Sequence, residues 1–454
     1  MRLWIKDPVA ILAEDAGRGI VVEDGRIAEL VPTGGAPSAP VDETFDAARH
    51  VVLPGLVNTH HHMFQTLTRA HPAAINKELF PWLQALFPIW AANVTPENLR
   101  LATRLALTEL LMSGCTTVSD HQYLYPPGLE EAMDIQAEEA TALGVRMTLT
   151  RGSLNLTEAE GGNAIPGAVQ DTDDILADCE RVIARYHDRS EGAMLQVALA
   201  PCAPFNVKKR LMVESAALAE RCDCRLHTHL AETRDELDWC RAHFRCTPVE
   251  YLEEVGWMTD RVWLAHGIHF DDAEVARLGR HGVGVCHCPT SNMVLASGMC
   301  RTRELEAAGS PVGLGVDGSA SNDNSNLIEG VRHALMLGRL RYDAASVTHF
   351  DALRWASEGS ARCLGRSDIG RIETGRQADL ALFTLDELRF SGAGDPIAAL
   401  VLCGAHAADR VMVAGDWRVV DGAPRGVDVA RLRYEHGRAA RRFLESVPAS
   451  RRGA

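Results

Sequence analysis

The stretch Val51-Val52-Leu53-Pro54-Gly55-Leu56-Val57-Asn58-Thr59-His60-His61-His62 runs an apolar, strand-length segment straight into a histidine cluster. Val51 to Val57 carries the β-branched residues of a buried strand. Residues two apart on an extended chain share a face, so His60 and His62 leave its end on one side, where two imidazoles can hold one metal ion. The cluster alone is modest grounds for a metal site. Its weight comes from the repetition of the setting further along the chain.

From residue 51 onward strand, loop and helix alternate. Strands are expected at Val51–Val57, Thr116–Ser119, Val145–Thr150, Leu195–Ala200, Arg225–His229, Val262–His266, Val283–His287 and Val312–Val316. Between and after them, helical spacing marks Pro96–Ser113, Leu129–Leu143, Thr172–Tyr186, Arg210–Arg221, Ala273–Arg280, Leu327–Arg341 and Phe350–Leu364. Eight strands separated by helices indicate an α/β fold of the (β/α)8 barrel type. Both ends of the chain instead read as short strands with turns. Gly19–Glu23 and Arg26–Leu30 flank Asp24-Gly25 as a hairpin, and Ala378–Phe383, Asp409–Ala414 and Trp417–Val420 form the C-terminal set. The expected organisation is a small β-sandwich domain built from residues 1–54 and 368–454, the latter with a terminal helix, around a catalytic barrel at 55–367. Two long segments, the aromatic-rich Met63–Asn93 and the Gly-rich Gly152–Asp171, are expected to be loops lying over the site.

Composition removes several classes of function. The chain has 454 residues, 46% of them hydrophobic and 24% charged, which describes an ordinary globular protein. A formal charge of -15 disfavours a nucleic-acid partner, because displacing counterions from phosphates needs a basic face. No apolar run is long enough for a bilayer, and the N-terminus has no signal-peptide pattern. Twelve Cys without paired spacing fit a reducing cytoplasm.

In a barrel of this kind chemistry sits at the C-terminal strand ends. Of 18 His and 61 acidic residues, that filter keeps few. The first strand ends at His60 and His62, the fifth at His229 with Glu232 three residues on, the sixth at His266, and the eighth at Asp317. His60, His62, His229 and Asp317 make a nitrogen-rich set with one carboxylate, suited to one divalent ion, zinc or alternatively ferrous iron, and ill suited to calcium or magnesium. The fourth strand, Leu195–Ala200, offers no carboxylate or lysine to bridge a second ion. A metal with an open position acidifies water, Asp317 can accept its proton, Glu232 can shuttle protons to a substrate, and His266 can steady the nascent oxyanion. Singly, each of these residues looks like a core histidine or a loop carboxylate. Jointly they all fall just past apolar strands of one repeating pattern.

Other residues are set aside. His61 and His227 are expected to face away from the metal, and His269 and His287 to lie no nearer than behind the ligands. Gly313-Leu314-Gly315-Val316-Asp317-Gly318 matches a dinucleotide pattern, but its glycines lie within a strand and no helix opens at the third. Cys222/Cys224 and Cys286/Cys288 lack the spacing of zinc knuckles and are expected to pack as small core residues.

With these residues in place the chain resembles the amidohydrolase superfamily, on the branch of mononuclear aminohydrolases that contains guanine and cytosine deaminases. The resemblance rests on H-x-H after Pro54-Gly55-Leu56-Val57-Asn58, on His229 with Glu232, on Ala265-His266-Gly267, on Val316-Asp317-Gly318, and on the tail Gly370 to Leu380. The segments His62–Ala70, Pro201–Phe205 and Gly318–Asp323 resemble deaminases of oxidised purines, and triazine hydrolases share much of them. This implies metal-dependent hydrolytic deamination of a free base, 8-oxoguanine to urate and ammonia, with guanine, isoguanine or a hydroxytriazine as alternative rings. It also implies a homo-oligomer. A catalytically silent metal-binding scaffold is the rival of another class; it would lack a ligand or the Glu, and this chain has the full set.

Three residues are then assigned to the substrate. Gln65 offers both a carbonyl and an amide to a purinone edge, and guanine deaminases have Gln at this spacing. Cys202 stands where guanine deaminases place an Arg, and a small thiol leaves room for an 8-oxo base protonated at N7. Trp82 is the candidate aromatic cover over the ring.

Overall fold

The computed structural model describes residues 1–446; positions 447–454, the end of the expected C-terminal segment, lie outside the described residues. The centre of the chain forms eight parallel strands in sequence order: β1 (Leu56–Asn58), β2 (Cys115–Gln122), β3 (Arg146–Ser153), β4 (Leu195–Pro201), β5 (Arg225–Leu230), β6 (Val262–His266), β7 (Gly284–His287) and β8 (Val312–Leu314). The ring is nearly closed. Between its first and last strands Thr59 N–H donates to Leu314 O, and Asp317 N–H donates to His60 O, each at 3.0 Å. Every residue of β2 and β3 is buried, as expected of strands covered on both faces. The helices between strands start on side-chain caps where the sequence supplies them, such as Asp171 before Thr172–Tyr186 and the Asp271–Glu274 capping box.

Two expectations are corrected. The single strand Val51–Val57 breaks at Gly55: His50–Pro54 pairs antiparallel with Leu380–Thr384 of the small domain, whereas β1 pairs with β2. A Cβ at position 55 would fall 2.2 Å from Thr116 Oγ1, so only glycine lets the chain cross there. Met63–Asn93 is not a loop throughout. A 3-10 turn at Met63–Thr68 is followed by helix α1 (Leu79–Asn93), which is followed in turn by α2 (Pro96–Met112). Pro88 inside α1 and the lack of a regular polar face hide this helix from a periodicity reading.

Both termini build the small domain. One sheet holds Arg26–Val31, Gly19–Glu23, Arg2–Lys6 and Glu43–Asp46; the other holds Ala423–Pro424, Asp416–Val420, Arg410–Val413, Leu380–Thr384, His50–Pro54 and Ala10–Ile11. Leu3, Ile5, Ile20, Val52, Leu382 and Met412 share one core. The hairpin turns through Asp24 and Gly25, both at positive φ (49° and 78°), as a two-residue loop requires. The C-terminal helix, Val429–Glu445, leaves this domain and packs on α2 and the Met63–Thr68 turn. All twelve cysteines are free thiols, and among the described residues no helix is long and apolar enough to cross a membrane.

Candidate active site

The C-terminal strand ends converge on a cavity lined by His62, His229, Glu232, His266 and Asp317 among others. His60 and His62 follow β1, His229 lies on β5, and each uses its Nδ1–H in a way that leaves Nε2 free. His62 Nδ1–H donates to His121 O (2.9 Å), and His229 Nδ1–H donates to Cys202 O (2.7 Å). His60 Nδ1–H donates to His227 Nε2 (2.8 Å), because His227 spends its own Nδ1–H on Trp263 O (2.8 Å). The three ligand tautomers are thereby fixed.

The free nitrogens meet. His62 Nε2 and His229 Nε2 lie 3.1 Å apart, His60 Nε2 is buried without a hydrogen-bond partner, and Asp317 Oδ1 stands 3.3 Å from His60 Nε2 and 3.4 Å from His62 Nε2. Burial holds the His62 ring neutral down to about pH 3 and lowers His60 and His229 as well. Lone pairs facing one another around a carboxylate are what a divalent cation requires, and three imidazoles with one oxygen suit zinc or ferrous iron.

On the cavity side of these groups lie Glu232 and His266. Glu236 accepts from the backbone N–H of Ala231 and of Glu232 (2.9 Å each), which holds Glu232 in place. Glu232 Oε2 is 3.4 Å from His266 Nε2, and Asp317 Oδ2 is 3.8 Å from the same nitrogen. Burial pushes Glu232 up to about 7, near the point where one carboxyl can both give and take a proton. His266 Nδ1–H donates to Asn292 Oδ1 (3.0 Å); burial disfavours its charged form, yet the Glu232 and Asp317 carboxylates raise its pKa overall. Ala231, His266 and Asp317 all have φ between 52° and 71°, a conformation that L side chains rarely adopt and that here clusters at one site.

The substrate residues assigned from sequence all line the same cavity. Gln65 Nε2 donates to Tyr123 Oη (3.3 Å), while its Oε1 is buried without a partner and sits over Gly318, where a Cβ would come within 1.9 Å. Cys202 is buried, with Sγ 3.7 Å from Asn206 Nδ2, and burial keeps its thiol protonated. Trp82 donates its indole N–H to Ala320 O (3.1 Å) and packs on Trp90 in an aromatic cluster. It is thus cavity wall and core at once. The Gly152–Asp171 segment, expected to lie over the site, contributes no lining residue.

Sequence reasoning missed four residues and misplaced one. His227 does not face away: it shares a strand face with His229 by the alternation rule itself, and it lies behind His60 as its proton acceptor. His121 at the end of β2 belongs to the same nitrogen cluster as His60, His62 and His229, with Nε2–H donating to Ala200 O (2.9 Å) and a buried Nδ1 that has no partner. Tyr123, two residues on, presents its hydroxyl to Gln65. Both follow the alternation of Thr117 and Ser119, and would have been found had the expected strand been continued past Ser119. Asn292 and Glu236 act on His266 and Glu232 from helical segments, where no strand-end signal exists.

The chain is similar to known proteins along most of its length. Residues 51–418 match the amidohydrolase family. The chain is 60% identical to an 8-oxoguanine deaminase of Pseudomonas aeruginosa over 97% of its own length and 98% of that protein's. It is 38% identical to a hydroxydechloroatrazine ethylaminohydrolase of a Pseudomonas species, covering 84% and 81% of the two chains. Among solved structures it superposes on an atrazine chlorohydrolase of Arthrobacter aurescens complexed with zinc, with a TM-score of 0.91, 30% identity, and 96% and 100% of the two chains covered.

Proposed function

The chain belongs to the amidohydrolase family, and on that premise we propose that it deaminates a free oxidised purine, converting 8-oxoguanine and water to urate and ammonia. The reading is carried by one observation: His60, His62 and His229 turn their free Nε2 atoms toward one another and Asp317, with Glu232 and His266 at the adjoining cavity wall. The 60% identity to a deaminase of that name supports the choice of ring.

His60, His62, His229 and Asp317 would hold the divalent ion, zinc or alternatively ferrous iron, whose chemistry is to acidify a water molecule and so supply the nucleophile. As the water oxygen bonds to C2, Asp317 takes one of its protons and Glu232 delivers a proton to N3. Glu232, now a carboxylate, takes the remaining proton from the added hydroxyl and passes it to the departing amine as the C2–N bond breaks, and the proton held by Asp317 then restores Glu232. The two protons of water thus end on N3 and on ammonia. His266, oriented by Asn292, donates from Nε2 to the oxygen as charge builds there.

At the far side of the ring, Gln65 Oε1 accepts from a purinone N–H and Tyr123 Oη–H, freed by the hydrogen bond it accepts from Gln65, donates toward a ring heteroatom. Cys202, small and neutral, leaves space for the 8-oxo group. Trp82 closes the cavity over the base. A reducing cytoplasm suits the free thiols, and a homo-oligomer is the proposed assembly.

The test is ammonia release from 8-oxoguanine, guanine, isoguanine and hydroxytriazines, with metal content measured on the same sample. The expected result is fastest turnover of 8-oxoguanine with one zinc or iron per chain. A hydroxytriazine turned over faster would move the chain to the other ring, and a metal-loaded protein inert toward all four would make it a silent scaffold.

A further inference from the structure

The turn that carries Gln65 is held from outside the barrel by two hydrogen-bond relays. In the first, His436 of the C-terminal helix meets Thr66: Thr66 Oγ1–H donates to Met63 O (3.0 Å), so the 3.0 Å contact between Thr66 Oγ1 and His436 Nε2 must be made by the histidine's proton. In the second, Trp90 Nε1–H of α1 donates to Thr68 Oγ1 (3.0 Å), and Thr68 Oγ1–H donates to Gln65 O (3.1 Å). Met63 N–H closes the start of the turn on Asp120 Oδ1 (2.8 Å). Thr66, Thr68 and His436 are all buried, so none of these bonds is exchanged for water.

The helix behind this contact is anchored. Phe443 is fully buried in the aromatic cluster that includes Trp82, Phe87 and Trp90, and Asn93 at the end of α1 donates to Ser446 Oγ (3.2 Å). Among the described residues, the side-chain hydrogen bond that joins this helix to the turn is His436 to Thr66.

We infer that His436 is a positioning residue for substrate recognition: through Thr66 it fixes the 3-10 turn at the height that sets Gln65 against the base, without acting on the metal ligands. The inference rests on the reading that Gln65 contacts the substrate. The C-terminal helix is then part of the substrate wall, 370 residues from the turn it holds.

The test uses full-length, metal-loaded enzyme with His436→Ala, His436→Gln and Gln65→Ala, alone and with His436→Ala and Gln65→Ala combined. Gln can present an N–H where His436 Nε2 stands. With His436→Ala the amides of residues 63–69 should exchange with deuterium faster, and KM for 8-oxoguanine should rise about three- to tenfold, the loss of one hydrogen bond, at unchanged kcat and metal content. His436→Gln should return both toward wild type, and in the Gln65→Ala background His436→Ala should raise KM no further. Unchanged exchange, a fall in kcat with loss of metal at constant KM, or fully multiplicative KM effects in the double variant would each overturn the inference. If wild type deaminates no base while His436→Ala still loosens the turn and His436→Gln restores it, the clamp stands and the assigned substrate falls.

Discussion

Glu232→Gln separates chemistry from structure at this site. The side chains have the same shape, Glu232 is outside the set of nitrogen and oxygen atoms that converge for a metal, and Glu236 holds its backbone rather than its carboxyl. Metal content and KM should therefore stay near wild type. Two proton transfers in one turnover pass through this carboxyl, so kcat should fall by about 10³–10⁴, or roughly 4–5.5 kcal/mol of barrel-bound barrier lowering. Stability should move the other way. In the metal-free protein burial raises Glu232 from 4.5 to about 7, so the folded state binds a proton that the unfolded chain has released between those values. Stability contributed by the protonated acid is full below pH 4.5 and is lost as pH rises to 7, a loss of about 3 kcal/mol at most. The amide does not titrate and escapes that loss. Single-turnover ammonia release, metal analysis and thermal unfolding of stripped protein at pH 5 and pH 8 measure all three. A variant within tenfold of wild-type kcat, or one that no longer retains metal, would refute the assigned role.

Gly318→Ala places a Cβ 1.9 Å from Gln65 Oε1, so the amide must leave its position; KM for the base should rise tenfold or more at constant metal content, and an unchanged KM would show that Gln65 does not read the substrate. Cys202→Arg fills the space beside Asn206 with a guanidinium aimed at the imidazole side of the base, and the ratio of 8-oxoguanine to guanine turnover should drop at least about tenfold; an unchanged ratio would remove the account of selectivity. His436 is held neutral to about pH 4, by burial first and Arg69 second, against 6.5 in the unfolded chain. Unfolding then takes up a proton between pH 6.5 and 4, so stability falls with pH there by about 1.4 kcal/mol per unit, and His436→Gln should flatten that slope in acid-unfolding curves while leaving stability above pH 7 unaffected by this titration.

The barrel was legible because each strand is a short apolar run bounded by turns, and the ligands because they follow such runs. Gly55 and α1 were not. At Gly55 the chain changes sheets without a change of texture, since both halves of Val51–Val57 are buried. In α1, Pro88 and aromatic residues on several faces imitate a loop, whereas the aromatic cluster supplies burial that overrides propensity. His121 and Tyr123 were lost to a boundary error at the end of β2, where Asp120, His121 and Gln122 look too polar for a strand yet are all buried. The side chains that contact the base were found only in part, since their roles depend on which loops meet above the barrel.

What orients the ligands is mostly main chain. His62 and His229 donate to the carbonyls of His121 and Cys202, and even His60 reaches the Trp263 carbonyl through His227. A carbonyl is present whatever the side chain, so its part in the site cannot be read from residue identity. The same fact frees the side chain. At position 202 the carbonyl fixes the tautomer of His229 while the side chain faces the cavity, so exchanging Cys202 alters the surface presented to the base and leaves the orientation of the ligand to the backbone. One barrel can therefore keep a metal centre fixed by strand ends while the side chains on those same residues change the ring it accepts, and selectivity at position 202 should vary without loss of metal.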